Sequence, residues 1–489
     1  MNKNVLLPLF GIALAAAGCT MTPKYARPTA PIPGEWPSGE AYKENQATTN
    51  ARAAQDLNWR EFFTDAKLQQ VIGIALTNNR DLRLAALNVE QARAMYGIQR
   101  AELLPVINGS ADRIRQRIPA DLSMTGKPLT DSQYDVNLGV ASWEVDFFGR
   151  IRSLKNVALQ EYLATEQGRC SAQISLISSV ADTYLTLAAD RESLTLAEIT
   201  LAAQQHTYNL IKRRHDLGLV GDLDVQQVQT QVDAARRDVA RYKQLIAQDE
   251  NALNLLLGLP LPGNLLPTGL NGVAPPKEIT AGLSSEVLLR RPDVLQAENL
   301  LKAANADIGA ARADFFPRIS LTAAIGSSSS NLSGLFKSGS GAWSYMPQIV
   351  LPVFDARTWF ALKATRVQRE IAVTQYEKAI QSAFRDVADA LAIQGTADQQ
   401  VAAQQSLVNA AAETYRLSVS RYRKGIDSYL SVLDAQRSLY AAQQGLVSLR
   451  LEKLVNEVKL YAVLGGGWQA EQPPGPSAMS GFPQEHPRD

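Results

Sequence analysis

The feature that most constrains this chain is that its plan is written twice. Arg80-Asp81-Leu82 opens a segment that runs through Gly97 and Arg100-Ala101 to Pro105 and Ile107. Shifted by 212 positions, Pro292-Asp293-Val294 opens another, which runs through Gly309 and Arg312-Ala313 to Pro317 and Ile319 without a gap. A second set agrees at a shift of 207. Tyr208, Leu210, Arg214, Gly218, Leu223, Val225, Gln229, Leu257 and Gly258 fall on Tyr415, Leu417, Arg421, Gly425, Leu430, Val432, Gln436, Leu464 and Gly465. Two halves of roughly 200 residues therefore share one architecture.

Each half begins with a helical stretch, about 66–104 and 284–316, that stops at Pro105 or Pro317. Proline removes a backbone donor and pushes the preceding residue towards extended geometry. Two strand-like segments follow, about 106–118 and 133–147 in the first half and about 318–328 and 343–354 in the second. Tyr134, Val136, Leu138 and Val140 alternate with Asp135, Asn137 and Gly139, and Ile319, Leu321, Ala323 and Ile325 alternate with Ser320, Thr322 and Ala324. Period-two alternation places the two faces of a strand in two different environments. Polar or Gly/Ser-rich loops near 121–131 and 327–341 join each strand pair.

A very long helix is predicted next, about 150–215 and again about 357–424. At 1.5 Å per residue each makes a rod of about 100 Å, a length no ordinary globular core requires. Leu187, Leu194, Leu201 and Tyr208 are spaced by seven, as are Val401, Val408, Tyr415 and Tyr422, the repeat of helices packed along their length as coiled coils. Gly218-Leu219-Val220-Gly221 and Gly425-Ile426-Asp427-Ser428 turn the chain into shorter helices, about 222–257 and 429–464, which end at Gly258 and Gly465. The chain thus divides into a first repeat (66–258), a Pro-rich linker (259–283), a second repeat (284–465) and a tail (466–489) marked by Pro473, Pro474 and Pro476.

The first residues read as an address. Lys3 precedes an uncharged apolar stretch from Val5 to Ala17, shorter than the roughly 20 residues that cross a bilayer as a helix. It ends in Ala16-Ala17-Gly18-Cys19, which resembles a lipoprotein cleavage signal, although Ala16 stands where leucine is usual. The resemblance implies that residues 1–18 are a signal peptide and that Cys19 becomes the first mature residue, carrying a covalent lipid such as palmitate. Residues 19–65 would be the lipid-anchored N-terminal segment. Thr20 follows the cysteine in place of the aspartate that usually holds lipoproteins at the inner membrane, so the outer membrane is the expected destination.

Bulk composition excludes several function classes. The formal charge of +1 provides no footprint for nucleic acid. His206 and His215 lie nine positions apart, on opposite sides of a helix, and His486 is in the tail; no paired cysteines offer a zinc site. Cys170 is the one cysteine outside the address. No phosphate loop or nucleophile elbow is present. Neither a metal, a cofactor nor an enzymatic activity is expected.

No apolar run after Cys19 is long enough for a membrane helix, so a membrane-spanning body must be a closed strand barrel. Four strands per chain cannot close one, since known membrane barrels start at about eight. Several chains must share it, and the strand count alone leaves two, three or four copies open. A strand barrel continued by a helical tube is a pore.

Trp59-Arg60-Glu61-Phe62-Phe63, Asn78-Asn79-Arg80-Asp81-Leu82-Arg83 and Arg290-Arg291-Pro292-Asp293-Val294-Leu295-Gln296-Ala297-Glu298 resemble signatures of the TolC-type outer-membrane efflux proteins. The closer similarity is to the lipoprotein branch serving resistance-nodulation-division pumps, and Pro23-Lys24-Tyr25-Ala26-Arg27-Pro28 is similar to that branch's mature start. The resemblance covers essentially the whole chain. It implies a mainly α fold with a small β part: a homotrimer with a 12-stranded transmembrane β-barrel, an α-barrel crossing the periplasm and an equatorial region. It also implies partnership with a periplasmic adaptor and an inner-membrane, proton-driven transporter, and export of drugs or other toxic small molecules.

By the same resemblance, Leu430 and Asp434 fall on the positions that constrict a periplasmic gate. Being one helical turn apart, they share a face. Arg437 is placed to pair with Asp434, and Tyr422 matches a tyrosine that ties neighbouring helices together. Where some relatives carry an additional aspartate this chain has Ser431, and the first-half positions matching Ser431 and Asp434 hold Asp224 and Gln227, which read as structural. The turns at Gly218, Gly221, Gly425 and Ser428 are expected to meet the adaptor. Two other readings compete: a duct for protein secretion, and an adhesive trimeric coiled coil. The second predicts one continuous heptad run, whereas this chain folds back at glycine turns in both halves.

Overall fold

The computed structural model describes residues 20–42, 54, 57–279 and 284–468. The expected signal peptide, the lipid site at Cys19, His486 and the Pro-rich tail beyond 468 lie outside them. The order of elements repeats in the two halves. α1 (Trp59–Phe62), α2 (Ala66–Asn78), α3 (Arg80–Ala101), β1 (Ile107–Ile118), β2 (Leu129–Glu144), α4 (Arg150–Asp216) and α5 (Asp222–Leu257) come first. α6 (Pro292–Ala313), β3 (Arg318–Ser329), β4 (Gly341–Val350), α7 (Ala356–Arg423) and α8 (Tyr429–Val463) follow. The chain divides into two units. One holds residues 1–29, 88–166 and 296–377, and the other 30–87, 167–295 and 378–489.

The first unit contains one antiparallel sheet in the order β1-β2-β3-β4. Its register sorts side chains by solvent. Rungs such as Gly109↔Leu138↔Ile325↔Trp343 and Ile107↔Val140↔Ala323↔Tyr345 carry the apolar set, while Ser110↔Asn137↔Gly326↔Ala342 and Asp112↔Asp135↔Ser328 carry the polar one. Leu138, Ile325, Trp343, Tyr345 and Ile349 are all exposed, so the apolar face is left uncovered within one chain. β1 and β4 each pair on one side only. A bulge between Val140 and Trp143 interrupts β2; Ser142 there takes a φ of 52° and donates its backbone N–H to Thr322 Oγ1 at 3.0 Å.

Three boundaries differ from the expectation. β2 runs over Leu129–Glu144, not 133–147, because the ladder with β1 continues out to Ile118↔Leu129 through residues that read as a loop. It stops early because Asp146 turns its carboxylate onto the backbone N–H groups of Ile151 and Arg152, at 3.1 and 2.9 Å, and starts α4. β4 ends at Val350, short of 354, where Leu351-Pro352 withdraws a ladder donor. The stretches read as single helices at 66–104 and 284–316 are each divided. Asn79 is extended; its backbone N–H closes α2 on Ala75, its side-chain oxygen accepts from Leu82 N to cap α3, and its amide donates to Leu256 O at 2.8 Å. In the second half, Arg291 is extended before Pro292, which opens α6 at the position where a missing N–H costs nothing.

The N-terminal segment is bound along α6 within the first unit. Arg27 forks onto Glu298, with Nε to Oε1 at 3.0 Å and Nη2 to Oε2 at 2.6 Å, and Tyr25 Oη donates to Glu298 Oε1 at 3.1 Å. Lys302 lies 3.2 Å from Glu298 and 5.5 Å from the centre of the Tyr25 ring. Asn305 then donates to Pro23 O at 2.8 Å, Gly309 leaves room for Thr22, and Arg312 donates to Met21 O at 3.3 Å. The segment runs antiparallel to α6 over about 21 Å of helix and delivers Thr20 to the end from which the chain enters β3. Hydrogen bonds from Arg27 and Lys302 hold Glu298 below its ordinary pKa against the opposing effect of burial.

The second unit is built on aromatic and aliphatic packing. Phe62 stacks on Tyr461 at 4.0 Å, Phe63 meets the same ring edge-on, and Tyr461 Oη donates to Leu57 O at 2.7 Å. α4 packs on α5 through the seven-spaced residues Leu194 and Leu201, which lie against Ala197, Val239 and Tyr242. Asp182, on α4, is one of the carboxyls of this unit that burial disfavours. Burial pushes its carboxyl up to about 7 against the attraction of Lys459, and its Oδ1 has no hydrogen-bond partner among the described residues. Because its folded pKa is raised, the folded protein is penalised as pH climbs from about 4 to about 7. Asp182→Asn is therefore expected to stabilise by about 2 kcal/mol at pH 8 and to gain almost nothing at pH 4. Thermal midpoints at the two pH values check this.

Candidate functional site at the helix tips

All the candidate gate and adaptor-contact residues lie in the second unit, where α4 turns into α5 and α7 into α8. The two turns are built alike. Gly218 has a φ of 71° and Gly425 of 74°, a left-handed conformation that side chains disfavour. Gly218 N donates to His215 O and Leu219 N to Arg214 O; Gly425 N donates to Tyr422 O and Ile426 N to Arg421 O. The paired bonds consume carbonyls that a helix end would leave open. Gly221 and Ser428 are the extended residues before α5 and α8, and Gly221 N donates to Asp224 Oδ2 at 3.3 Å. Asp224 thus stabilises a helix start, as expected of a structural residue.

Each turn carries its own ionic brace. His215 Nε2 stands 2.8 Å from Asp222 Oδ1 across the first. Arg421 forks onto Asp427 across the second, at 2.6 and 3.0 Å. Hydrogen bonding to Arg421 holds Asp427 below the usual carboxylate range.

The tips of the two halves are joined by a shared core. Ile211 of α4, Val228 of α5 and Tyr429, Val432 and Leu433 of α8 are buried together, with Tyr208, Val225, Tyr415, Val419 and Tyr422 packed around them. Tyr422 meets Tyr429 edge-on at 5.1 Å and accepts a hydrogen bond from Arg214 of the first half. Arg214 and Arg421 are equivalent in the duplication, yet one spans the halves and the other stays within its turn. The repeated arginine was visible in the sequence, but its choice of partner was not.

This core assigns the apolar residues of α8 to different tasks. Leu433 is 1% exposed, whereas Leu430 is 49% exposed. The Asp434 side chain is 64% exposed and stands on the same face, with Arg437 Nη1 3.7 Å from its Oδ1. Arg437 also donates from Nε to Gln231 Oε1 on α5 at 3.0 Å, so it links the two short helices while it faces the carboxylate. Leu430 and Asp434 are thus not needed for the packing of one chain. Leu223, the first-half counterpart of Leu430, is 70% exposed, and its neighbour in the next turn is Gln227 instead of an acid. At the turns, Leu217, Leu219 and Ile426 are also exposed. None of these groups forms a nucleophile–base pair, and no cluster of potential metal ligands occurs among the described residues.

The profile of the outer membrane efflux protein family matches residues 71–259 and 283–466, the two repeats in turn. The chain belongs to the outer membrane efflux protein family. This efflux protein is 48% identical over 469 residues to the toluene efflux pump outer membrane protein TtgC of Pseudomonas putida, with 96% of each chain covered. It is 40% identical over 469 residues to the outer membrane protein OprJ of Pseudomonas aeruginosa, covering 94% of this chain and 96% of the relative. Its fold matches the open state of the Neisseria gonorrhoeae MtrE outer membrane channel with a TM-score of 0.82 and 38% identity over 92% of this chain and 99% of the other. The efflux protein is an outer-membrane channel component and not an enzyme. Its long helices and its sheet are the parts from which TolC-type channels build a helical barrel and a β-barrel.

Proposed function

We propose that three copies of this efflux protein close a twelve-stranded barrel in the outer membrane and continue it as a helical tube into the periplasm. The observation that carries this reading is the sheet of one chain: four strands, one apolar and one polar face, and unpaired edges at β1 and β4. An edge left open in lipid costs several kcal/mol for each unsatisfied backbone group. Pairing β4 of one copy with β1 of the next removes every edge at once. α3 supports the same conclusion, since none of its residues is buried and it exposes Leu84, Leu87, Met95 and Ile98. No described helix is long and apolar enough to cross a membrane itself.

In the assembled tube, Leu430 and Asp434 project from the periplasmic tips and constrict the bore. Leucines block it sterically, while a ring of Asp434 carboxylates draws cations and repels anions. The turns at Gly218, Gly221, Gly425 and Ser428, flanked by exposed Leu217, Leu219 and Ile426, are the contact surface for a periplasmic adaptor, which couples the channel to a proton-driven inner-membrane transporter. The cargo is small toxic organic compounds, in keeping with the relative named for toluene efflux. Reconstitution in a planar bilayer tests the conduit. Discrete channel openings, and restored solvent tolerance in a host lacking its own exit duct, are the expected results. A protein that inserts but never conducts contradicts the reading.

A lipid on Cys19 anchors each copy. The segment bound along α6 supports this, because it brings Thr20 to the membrane-facing end of that helix. Glu298→Ala removes the acceptor for Arg27 and Tyr25 and the ionic partner of Lys302. With its buried acceptor gone and the partly exposed Arg27 and Lys302 left to water, the clamp is expected to lose about 1–2 kcal/mol and to expose the segment to protease. Cys19→Ser leaves the clamp intact but releases the protein from acyl labelling with radioactive palmitate.

A further inference from the structure

The strand register places three arginines where an apolar surface would be expected. Arg113, Arg115 and Arg117 follow one another on alternate positions of β1, opposite Tyr134, Ser132 and Thr130 of β2. They therefore share the face of Ala111, Val136 and Leu138, the apolar one. All the acidic residues of the four strands, Asp112, Asp131, Asp135 and Glu144, lie on the other face by the same register. Arg113 sits over the Tyr134 ring at 5.3 Å, and none of the three forms an ion pair among the described residues. All three are exposed.

Their height follows from strand direction and lipid energetics. β1 leaves α3 at Ile107 and climbs towards Ile118, so the arginines are at the end of the hairpin away from the helices. The apolar face turns polar at the same rungs, where Ser327 lies opposite Val136 and Ser329 opposite Tyr134. An arginine on the lipid face is strongly unfavourable at the bilayer midplane and nearly neutral at the headgroup boundary. Tyr134 is the kind of residue found at that boundary. With the helices in the periplasm, this boundary belongs to the outer leaflet.

We propose that Arg113, Arg115 and Arg117 form an outward-facing site for the phosphate groups of glycolipids in the outer leaflet, one site per copy. Successive arginines stand about 7 Å apart along the strand, and a guanidinium takes a phosphate through two parallel hydrogen bonds. The site rests on the barrel reading above. It adds a lipid partner that holds the channel upright from the outer side, opposite the anchor on the inner side.

The test uses the full-length acylated protein in phosphatidylcholine vesicles containing about 10 mole percent lipid A, either bisphosphorylated or stripped of phosphate. Detergent extraction follows, and co-purifying lipid A is counted by mass spectrometry. Wild-type protein is expected to retain the bisphosphorylated form preferentially, and the preference should fall about fivefold for each arginine removed. R113Q/R115Q/R117Q should retain the two forms equally, R115Q/R117Q should be intermediate, and R115K/R117K, which keeps the charge but not the paired hydrogen bonds, should fall between R115Q/R117Q and the wild type. Conductance recorded from the same vesicles separates the two readings. A conducting wild type without phosphate preference, or a triple variant that keeps it, overturns the lipid site. A wild type that fails to conduct overturns the barrel itself, and the site with it.

Discussion

Truncating Leu430 and Asp434 together to alanine is expected to raise the single-channel conductance of the reconstituted efflux protein about tenfold. The expectation rests on how the tip divides its labour. Val432 and Leu433 hold the shared core of the four helix ends, whereas Leu430 and Asp434 stand exposed on the adjoining face. Their removal changes the fold by no more than about 0.5 kcal/mol, as for other exposed positions, while it takes away both the side chain and the charge that the proposed constriction needs. Cells carrying the variant should also become sensitive to large antibiotics that the outer membrane ordinarily excludes. Leu433→Ala is the contrasting case. It empties a fully buried site, costs about 2–5 kcal/mol, and should loosen the tips through lost packing. Wild-type conductance in an intact L430A/D434A assembly would remove these two residues from the gate.

Gly326→Val is expected to abolish the assembled channel. A Cβ at Gly326 of β3 would stand 2.0 Å from Val136 O and 2.8 Å from Asn137 Cα on β2. Those are backbone atoms of the central strand pair, so neither can retreat without breaking the ladder from Tyr134↔Ser329 to Val140↔Ala323. A cost above about 4 kcal/mol in a sheet that must also present its edges to neighbouring copies leaves no route to insertion. Gly109→Val provides the control. A Cβ there meets nothing within 4 Å, and the position lies on the apolar face, so the variant should insert normally. Outer-membrane fractionation and the heat-sensitive mobility of the barrel on gels distinguish the two.

Much of this architecture was legible because duplication and periodicity are properties of the chain itself. α3 and α6 start and stop 212 positions apart, at Arg80 and Pro292 and at Ala101 and Ala313. The proline and glycine stops mark where backbone donors fail or where φ must turn positive. What escaped the sequence depends on partners distant along it. Asn79 looks like an ordinary polar helix residue until its amide meets Leu256 O. The outer part of β2 looks like a loop, since Asp131 and Ser132 carry little strand propensity, and only pairing with β1 makes it a strand. Glu298 belongs to a recognisable motif, but nothing in its neighbourhood announces that Arg27 and Tyr25, some 270 residues earlier, will close on it. For the proposed gate, the Leu430–Asp434 pair was legible only through the family resemblance, with helical spacing adding that the two share a face. The inward core that frees Leu430 to face outward was not legible, because hydropathy cannot tell Leu430 from Leu433.

Native mass spectrometry of the mature protein, released from detergent micelles under gentle activation, tests the central claim most directly. One chain offers four strands and two bare edges, so the account predicts a single dominant species with the mass of three acylated chains. Cysteines placed on β1 and β4 should cross-link it into a covalent trimer. A stable species with the mass of one chain, its strand amides protected from hydrogen exchange along both edges, would contradict it.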